Sequence, residues 1–267
     1  MEIPPILYGT AWKKERTAAL VAAALGAGFR GIDTACQPKH YDEAGVGDGV
    51  AAAGVARDEL YLQTKFTPVD GHDSRRIPYD PAAPVAAQVR RSFEVSLANL
   101  RTDRLDCLLL HSPLREPAQT AEAWQALERI VDEGGARRIG ISNCYDPAYL
   151  ARLHASVRIK PAVVQNRFYA ATGYDREIRA FCRAEGIVYQ SFWTLTANPH
   201  LLAAEEIRAP ARRHGRTPEQ VLFRYLTQVG VVPLTGTTSA VHMREDLAIF
   251  EFELGADEIG RITAIVG

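Results

Sequence analysis

The chain has 267 residues, 47% of them hydrophobic and 24% charged, with 31 Lys and Arg set against 32 Asp and Glu. A formal charge of -1 gives no electrostatic case for nucleic acid or an anionic membrane surface, and no apolar run approaches the roughly 18 residues of a membrane span. The four cysteines, Cys36, Cys107, Cys144 and Cys182, form no CxxC pair, which fits a reducing compartment rather than a disulfide framework.

Met1-Glu2-Ile3-Pro4-Pro5 lacks the basic and long apolar segments of a signal peptide, so a cytoplasmic location is expected. The run Ile6-Leu7-Tyr8-Gly9 predicts a first strand, followed by Thr10-Ala11-Trp12-Lys13. From Thr17 onward, Leu20, Val21, Ala24, Leu25 and Gly28 fall on one helical face. Gly31-Ile32-Asp33 predicts the second strand, and Val46, Val50 and Ala53 a helix that Gly54 stops.

The third strand is expected over residues 60–65. Residues 66–84, with Pro68, Gly71, Pro78, Pro81 and Pro84, predict a long loop, and such loops are usually functional lids or disordered. Val85, Val89, Phe93, Leu97 and Leu100 repeat at three- and four-residue steps, the spacing of an amphipathic helix. Residues 105–110 are nearly continuously apolar, as in a strand buried on both faces. Trp124, Leu127, Ile130 and Val131 mark the next helix, which Gly134-Gly135 ends.

Residues 138–141 predict a strand leading into Ser142-Asn143, and Asp146-Pro147 reads as an N-cap with proline at the first helical position. A strand over 162–165 precedes a helix striped by Ile178, Phe181 and Cys182. Residues 186–192 form the next strand, ending at Trp193. Thr217-Pro218-Glu219 opens a helix carrying Val221, Leu222, Tyr225, Leu226 and Val229. Residues 231–235 are the last strand, and two helices follow near 241–250 and 257–266.

Eight strand–helix units in strict alternation imply a parallel sheet. At this length they favour an α/β fold that is a single-domain (β/α)8 TIM barrel over residues 1–267. No GxGxxG follows an early strand, which argues against an open dinucleotide-binding sheet.

In such a barrel the active site lies at the C-terminal ends of the strands. Asp33, Lys65 and His111 all fall there, and Tyr41 comes soon after Asp33. Each has a plainer reading alone: Asp33 as a turn cap, Lys65 as a solvated amine, His111 as a turn histidine. Three separate strands delivering an acid, an amine and an imidazole to one rim point instead to chemistry.

In Gly31-Ile32-Asp33-Thr34-Ala35, Thr64-Lys65, His111-Ser112-Pro113, Gly140-Ile141-Ser142-Asn143 and Pro161-Ala162-Val163-Val164-Gln165 the sequence resembles the aldo-keto reductase family, over essentially its whole length. The resemblance implies NADPH-dependent reduction of aldehydes or ketones, or the reverse oxidation, with Asp33, Tyr41, Lys65 and His111 as the catalytic residues. A hydride leaving a nicotinamide builds negative charge on the carbonyl oxygen, which must be stabilised or protonated. A tyrosine could give that proton, but its ordinary pKa is about 10. A neighbouring Lys65 ammonium is expected to lower it. Asp33 would hold the lysine charged and aimed, while His111 hydrogen-bonds and orients the carbonyl. Tyr41 stands further from Asp33 than the family pattern places the tyrosine. His40 is in register counted back from Glu43; Tyr41 is taken because an imidazole cannot play the phenol's part.

On the cofactor side the resemblance assigns Ser142 and Asn143, with Gln165, to the nicotinamide carboxamide, Phe192 to stacking on the ring, and Thr10 to the same surface. Thr235, His242 and Arg244 take the place of the family's phosphate grip. The usual lysine of the last strand is missing, which removes a point charge; hydroxyls and N–H groups at the next helix's N-terminus could compensate. NADPH is expected, NADH being possible. Trp12, Trp193 and the 66–84 loop would shape the substrate pocket. The chain ends at Gly267, shortly after the last helix, so the C-terminal loop common in the family is not expected to wall that pocket.

The seven histidines show no metal-binding spacing, so no metal is expected. Cys36 reads as a buried small hydrophobe, and Arg212-Arg213-His214 as a solvated helix end. The expected partner is a small-molecule carbonyl compound, with no nucleic acid and no membrane, on a monomer or weak oligomer. Two rivals are a Schiff-base aldolase using Lys65 and a catalytically weak, NADP-binding regulatory barrel.

Overall fold

Eight strands run parallel and close on themselves: β1 (Leu7–Gly9), β2 (Gly31–Asp33), β3 (Tyr61–Phe66), β4 (Cys107–Leu110), β5 (Ile139–Ser142), β6 (Val163–Arg167), β7 (Val188–Phe192) and β8 (Val231–Thr235). Each pairs with its successor in the sequence, and β8 returns to β1 through Leu7 opposite Leu234. The computed structural model describes residues 2–266. Met1 and Gly267, on which the expectations about the two chain ends partly rest, lie outside the described residues.

The helices are α1 (Thr17–Ala27), α2 (Glu43–Ala53), α3 (Val85–Leu100), α4 (Pro117–Asp132), α5 (Pro147–Ser156), α6 (Arg176–Ala184), α7 (Pro199–Ala203), α8 (Glu205–His214), α9 (Pro218–Gln228), α10 (Ala240–Leu247) and α11 (Ala256–Val266). Their ends follow local chemistry. Asp42 caps α2 by accepting from Gly45 N, and Gly54 ends it in the left-handed region at φ 65°. Asp146 accepts from Ala148 N and Tyr149 N at the start of α5. Thr217 and Gln220 form a reciprocal capping box on α9. Helices α7 and α8, between β7 and α9, carry no stripe from which the sequence predicts them; only Leu201, Ile207, Pro210 and Ala211 are buried there. Among the described residues no helix is long and apolar enough to cross a membrane.

Side chains alternate across each strand, so one set fills the barrel and the other meets the helices. The inner set forms a small cluster of Leu7, Tyr61, Cys107, Leu109, Val163 and Leu234. Gly140 makes room for it, since a Cβ there would stand 2.3 Å from Val163 O. The outer set, with Tyr8, Ile32, Leu62, Leu108, Ile141 and Val164, joins the helices in the main core. One step above the inner apolar cluster, the interior turns polar, and the candidate site begins there.

Candidate active site

Strand parity brings Asp33, Gln63, Lys65, Gln165 and Gln190 into the barrel, all at most 2% exposed. Lys65 Nζ donates to both oxygens of Asp33, at 2.8 and 2.7 Å, and to Thr34 O at 2.8 Å. That uses all three ammonium hydrogens. Asp33 Oδ1 also accepts from Gln63 Nε2 at 2.7 Å and Gln165 Nε2 at 2.9 Å. A buried ion pair is tolerable only when hydrogen bonds satisfy what the partners leave over, and these two glutamines do that.

Behind them the network closes. Gln63 donates to Gln190 Oε1 at 2.7 Å and accepts from Gln190 Nε2 at 3.1 Å, a reciprocal amide pair. Gln165 donates to the same Gln190 Oε1 at 2.9 Å, and Tyr61 Oη donates to Gln63 Oε1 at 2.9 Å. A carboxylate can only accept. Asp33 therefore requires Gln63 and Gln165 to present their NH2 groups, which fixes how Gln190 is turned. Gln63, Gln190 and Tyr61 went unnoticed in the sequence. The signal was polar residues at inward positions of strands that otherwise read as apolar.

Tyr41 and His111 complete the rim. The Tyr41 ring lies 5.5 Å from Lys65 Nζ and meets the His111 ring edge-on at 6.1 Å. His40 is turned elsewhere: its ring stacks on Trp12 at 3.8 Å, and its backbone carbonyl accepts from Trp12 N. The expectation that Lys65 acidifies Tyr41 needs correction. Burial, then the Asp33 charge, hold the Tyr41 hydroxyl above its usual range, and Lys65 gives its hydrogens to Asp33 and Thr34 rather than to the phenol.

Burial, then the positive charge of Lys65, keep the His111 imidazole well below its usual value, and hence neutral. Its Nδ1 lies 2.7 Å from the Thr67 hydroxyl. When that hydroxyl donates, the ring's single proton sits on Nε2, turned away from Thr67. Thr67 is held in turn by the 66–84 loop: its carbonyl accepts from Tyr79 Oη at 2.5 Å and lies 3.0 Å from His72 Nε2. Gln37 Nε2 reaches Gly71 O at 2.7 Å, and Phe66 packs on Tyr79. The loop lies at the rim as expected, but it contains a 3-10 turn at Val69–Gly71 and is tied down rather than structureless.

The residues assigned to a cofactor divide. Phe192, inward and half-buried at the end of β7, pairs with Arg167 across the sheet. Asn143, half-buried at φ 52°, donates from Nδ2 to His111 O at 2.9 Å and accepts from Tyr145 Oη. Ser142 donates to Gln165 O at 2.7 Å, just below the mouth. Thr10 and Thr235 need correction. Thr10 is fully buried, with its hydroxyl on Asp33 O, so it supports β2 instead of facing a ligand. Thr235 points outward to Asp246 of α10 at 2.7 Å because its place in β8 has the wrong parity for the interior. His242 and Arg244 are exposed on α10. Lys13, unassigned from sequence, reaches across to Gly236 O at the end of β8. Trp12 and Trp193 flank the mouth, 55% and 48% exposed. Cys36 is buried beside Glu43, and burial pushes its thiol up. Arg213 and His214 at the end of α8 are held by Glu258, not merely solvated.

A closed parallel barrel with an acid, an amine, an imidazole and a phenol at its C-terminal rim is an enzyme architecture. Residues 6–266 match the model of the aldo/keto reductase family, and the chain belongs to that family. A glyoxal reductase of Bacillus subtilis is 32% identical over 246 residues, covering 92% of this chain and 82% of that protein. An aldo-keto reductase of Mycolicibacterium smegmatis is 32% identical over 266 residues, covering 98% and 90%. The crystal structure of an aldo/keto reductase from Brucella melitensis superposes with a TM-score of 0.84 at 26% identity, covering 98% and 95%. The chain is thus an oxidoreductase, carbonyl reduction is its reaction class, and enzymes of this family generally use NAD(P)H.

Proposed function

We propose that this protein reduces aldehydes and ketones to alcohols with NADPH, Tyr41 giving the proton. The observation that carries the reading is the meeting of Tyr41 and His111 over the buried Lys65–Asp33 pair. The residues present fit a nicotinamide dinucleotide. Phe192 offers a half-exposed aromatic face, Asn143 a half-buried amide after β5, Lys13 an ammonium at the end of β8, and Ser239 the capped N-terminus of α10. His242 and Arg244 would take the additional phosphate of NADPH. Such a cofactor supplies a hydride to the carbonyl carbon.

The side chains do the rest. His111, neutral with its proton on Nε2, donates a hydrogen bond to the carbonyl oxygen and sets its direction. Tyr41 stays protonated because burial and Asp33 disfavour the phenolate. A developing alkoxide is a far stronger base than a phenolate, so the phenol needs no acidifying to surrender its proton. Lys65 and Asp33 fix the floor of the site and offset each other's charge. A Schiff-base role for Lys65 would need a free lone pair, whereas its three hydrogens bind Asp33 and Thr34.

The test is a panel of aldehydes, glyoxal among them, with NADPH and NADH, comparing wild type with Tyr41→Phe and His40→Ala. Tyr41→Phe should lose about 10²–10⁴ in kcat with NADPH affinity retained, and His40→Ala should keep its turnover. Full activity in Tyr41→Phe would end the assignment. Tight NADPH binding with no turnover on any aldehyde would favour the regulatory reading.

A further inference from the structure

Strand β6 reads Val163-Val164-Gln165-Asn166-Arg167. Val163 packs inside the barrel and Gln165 reaches Asp33, so Arg167 is the next inward position, about 7 Å further along the strand toward the mouth. Its guanidinium carbon lies 4.2 Å from the Trp193 ring and 5.3 Å from the Tyr169 ring. Its Nε is buried without a hydrogen-bond partner. Among the described residues no carboxylate stands within ion-pair distance of it, whereas Arg57 and Arg137 share Asp106 and Arg158 holds Asp132.

The residue is only half-buried, so the guanidinium keeps its charge at the mouth with no carboxylate beside it, and an arriving anion would supply that partner. Stacking on Trp193 stiffens the planar group and leaves its two terminal nitrogens for a two-pronged contact with carboxylate or phosphate oxygens. We propose that Arg167 forms an anion subsite at the barrel mouth, and that the enzyme's preferred carbonyl substrates carry a carboxylate or phosphate group that binds there. This rests on the reductase reading above and narrows it to anionic substrates. The cofactor's diphosphate is the other source of the same chemistry, and the experiment separates the two.

The assay compares 4-carboxybenzaldehyde with its methyl ester under saturating NADPH in wild type, Arg167→Met and Arg167→Lys. Wild type should favour the acid, and its kcat/KM on the acid should fall as salt is added. Arg167→Met should raise KM for the acid by about ten- to a hundredfold, with the ester changed by less than about twofold, and Arg167→Lys should recover part of the loss. An acid-to-ester ratio equal in wild type and Arg167→Met would overturn the proposal. So would a weaker NADPH dissociation constant in Arg167→Met with equal losses on both aldehydes, because the anion would then be the cofactor's diphosphate. If neither aldehyde consumed NADPH, the reductase reading would fail. Calorimetric binding of benzoate to wild type but not to Arg167→Met would still support the subsite, and equal binding would sink it.

Discussion

Gln63→Met offers the sharpest test of how the Asp33–Lys65 pair is held. The substitution keeps the side chain's length and removes one donor, at 2.7 Å, from Asp33 Oδ1. A hydrogen bond to a charged group contributes about 1.5–3 kcal/mol. The change also leaves Tyr61 Oη and Gln190 Nε2 without their acceptor, at about 1–3 kcal/mol for each orphaned group. Local relaxation recovers part of that sum, so urea unfolding should show a loss of about 3–6 kcal/mol, a large share of a typical domain's stability. With the pair less firmly held, kcat should fall tenfold or more while KM for the nicotinamide cofactor changes little. A double-mutant cycle with Asp33→Asn isolates the charge. In that background the lost bond is neutral and contributes only about 0.5–1.5 kcal/mol, so the two changes should couple by about 1–2 kcal/mol. Coupling below about 0.5 kcal/mol, with kcat unchanged in the single variant, would show that Gln63 merely fills space.

Asp246, buried behind Thr235, has its pKa raised from 3.8 to about 6, chiefly by burial. The native state therefore holds this proton more tightly than the unfolded chain, and stability is lost as pH rises from about 4 through 6. Asp246→Asn, whose amide oxygen can keep the Thr235 bond, should stabilise the protein by up to about 3 kcal/mol at pH 8 and by little at pH 4. Equal unfolding midpoints at pH 8 would contradict this. Because the Tyr41 hydroxyl is held above its usual range, carbonyl reduction should stay level through neutral and mildly alkaline pH. With Tyr41 as the proposed proton donor, alcohol oxidation would use its phenolate as base and should climb with pH throughout that range; an oxidation rate that peaks near neutrality would refute the reasoning.

The sequence by itself determined the barrel and the rim. Eight apolar strands alternating with amphipathic or capped helices leave little choice at this length, and Asp33, Lys65 and His111 stand at strand ends where such folds place chemistry. It also determined α2, α5 and α9 through their caps, because capping bonds are local. The weakly patterned α7 and α8 were not legible, since their few buried residues gain a partner only after the barrel has closed.

What the tertiary structure alone decided is which way side chains face and what meets across the interior. Parity turned Thr235 outward, burial spent Thr10 on β2, and the loop before α2 put Tyr41 beside His111 and His40 on Trp12. The bonds from Gln63 and Gln165 to Asp33 join residues 30 and 132 positions apart in sequence. The stacking of Arg167 against Trp193 likewise depends on two adjacent strands ending at the same height. Contacts of that kind follow from closing a sheet into a ring, which no local pattern encodes.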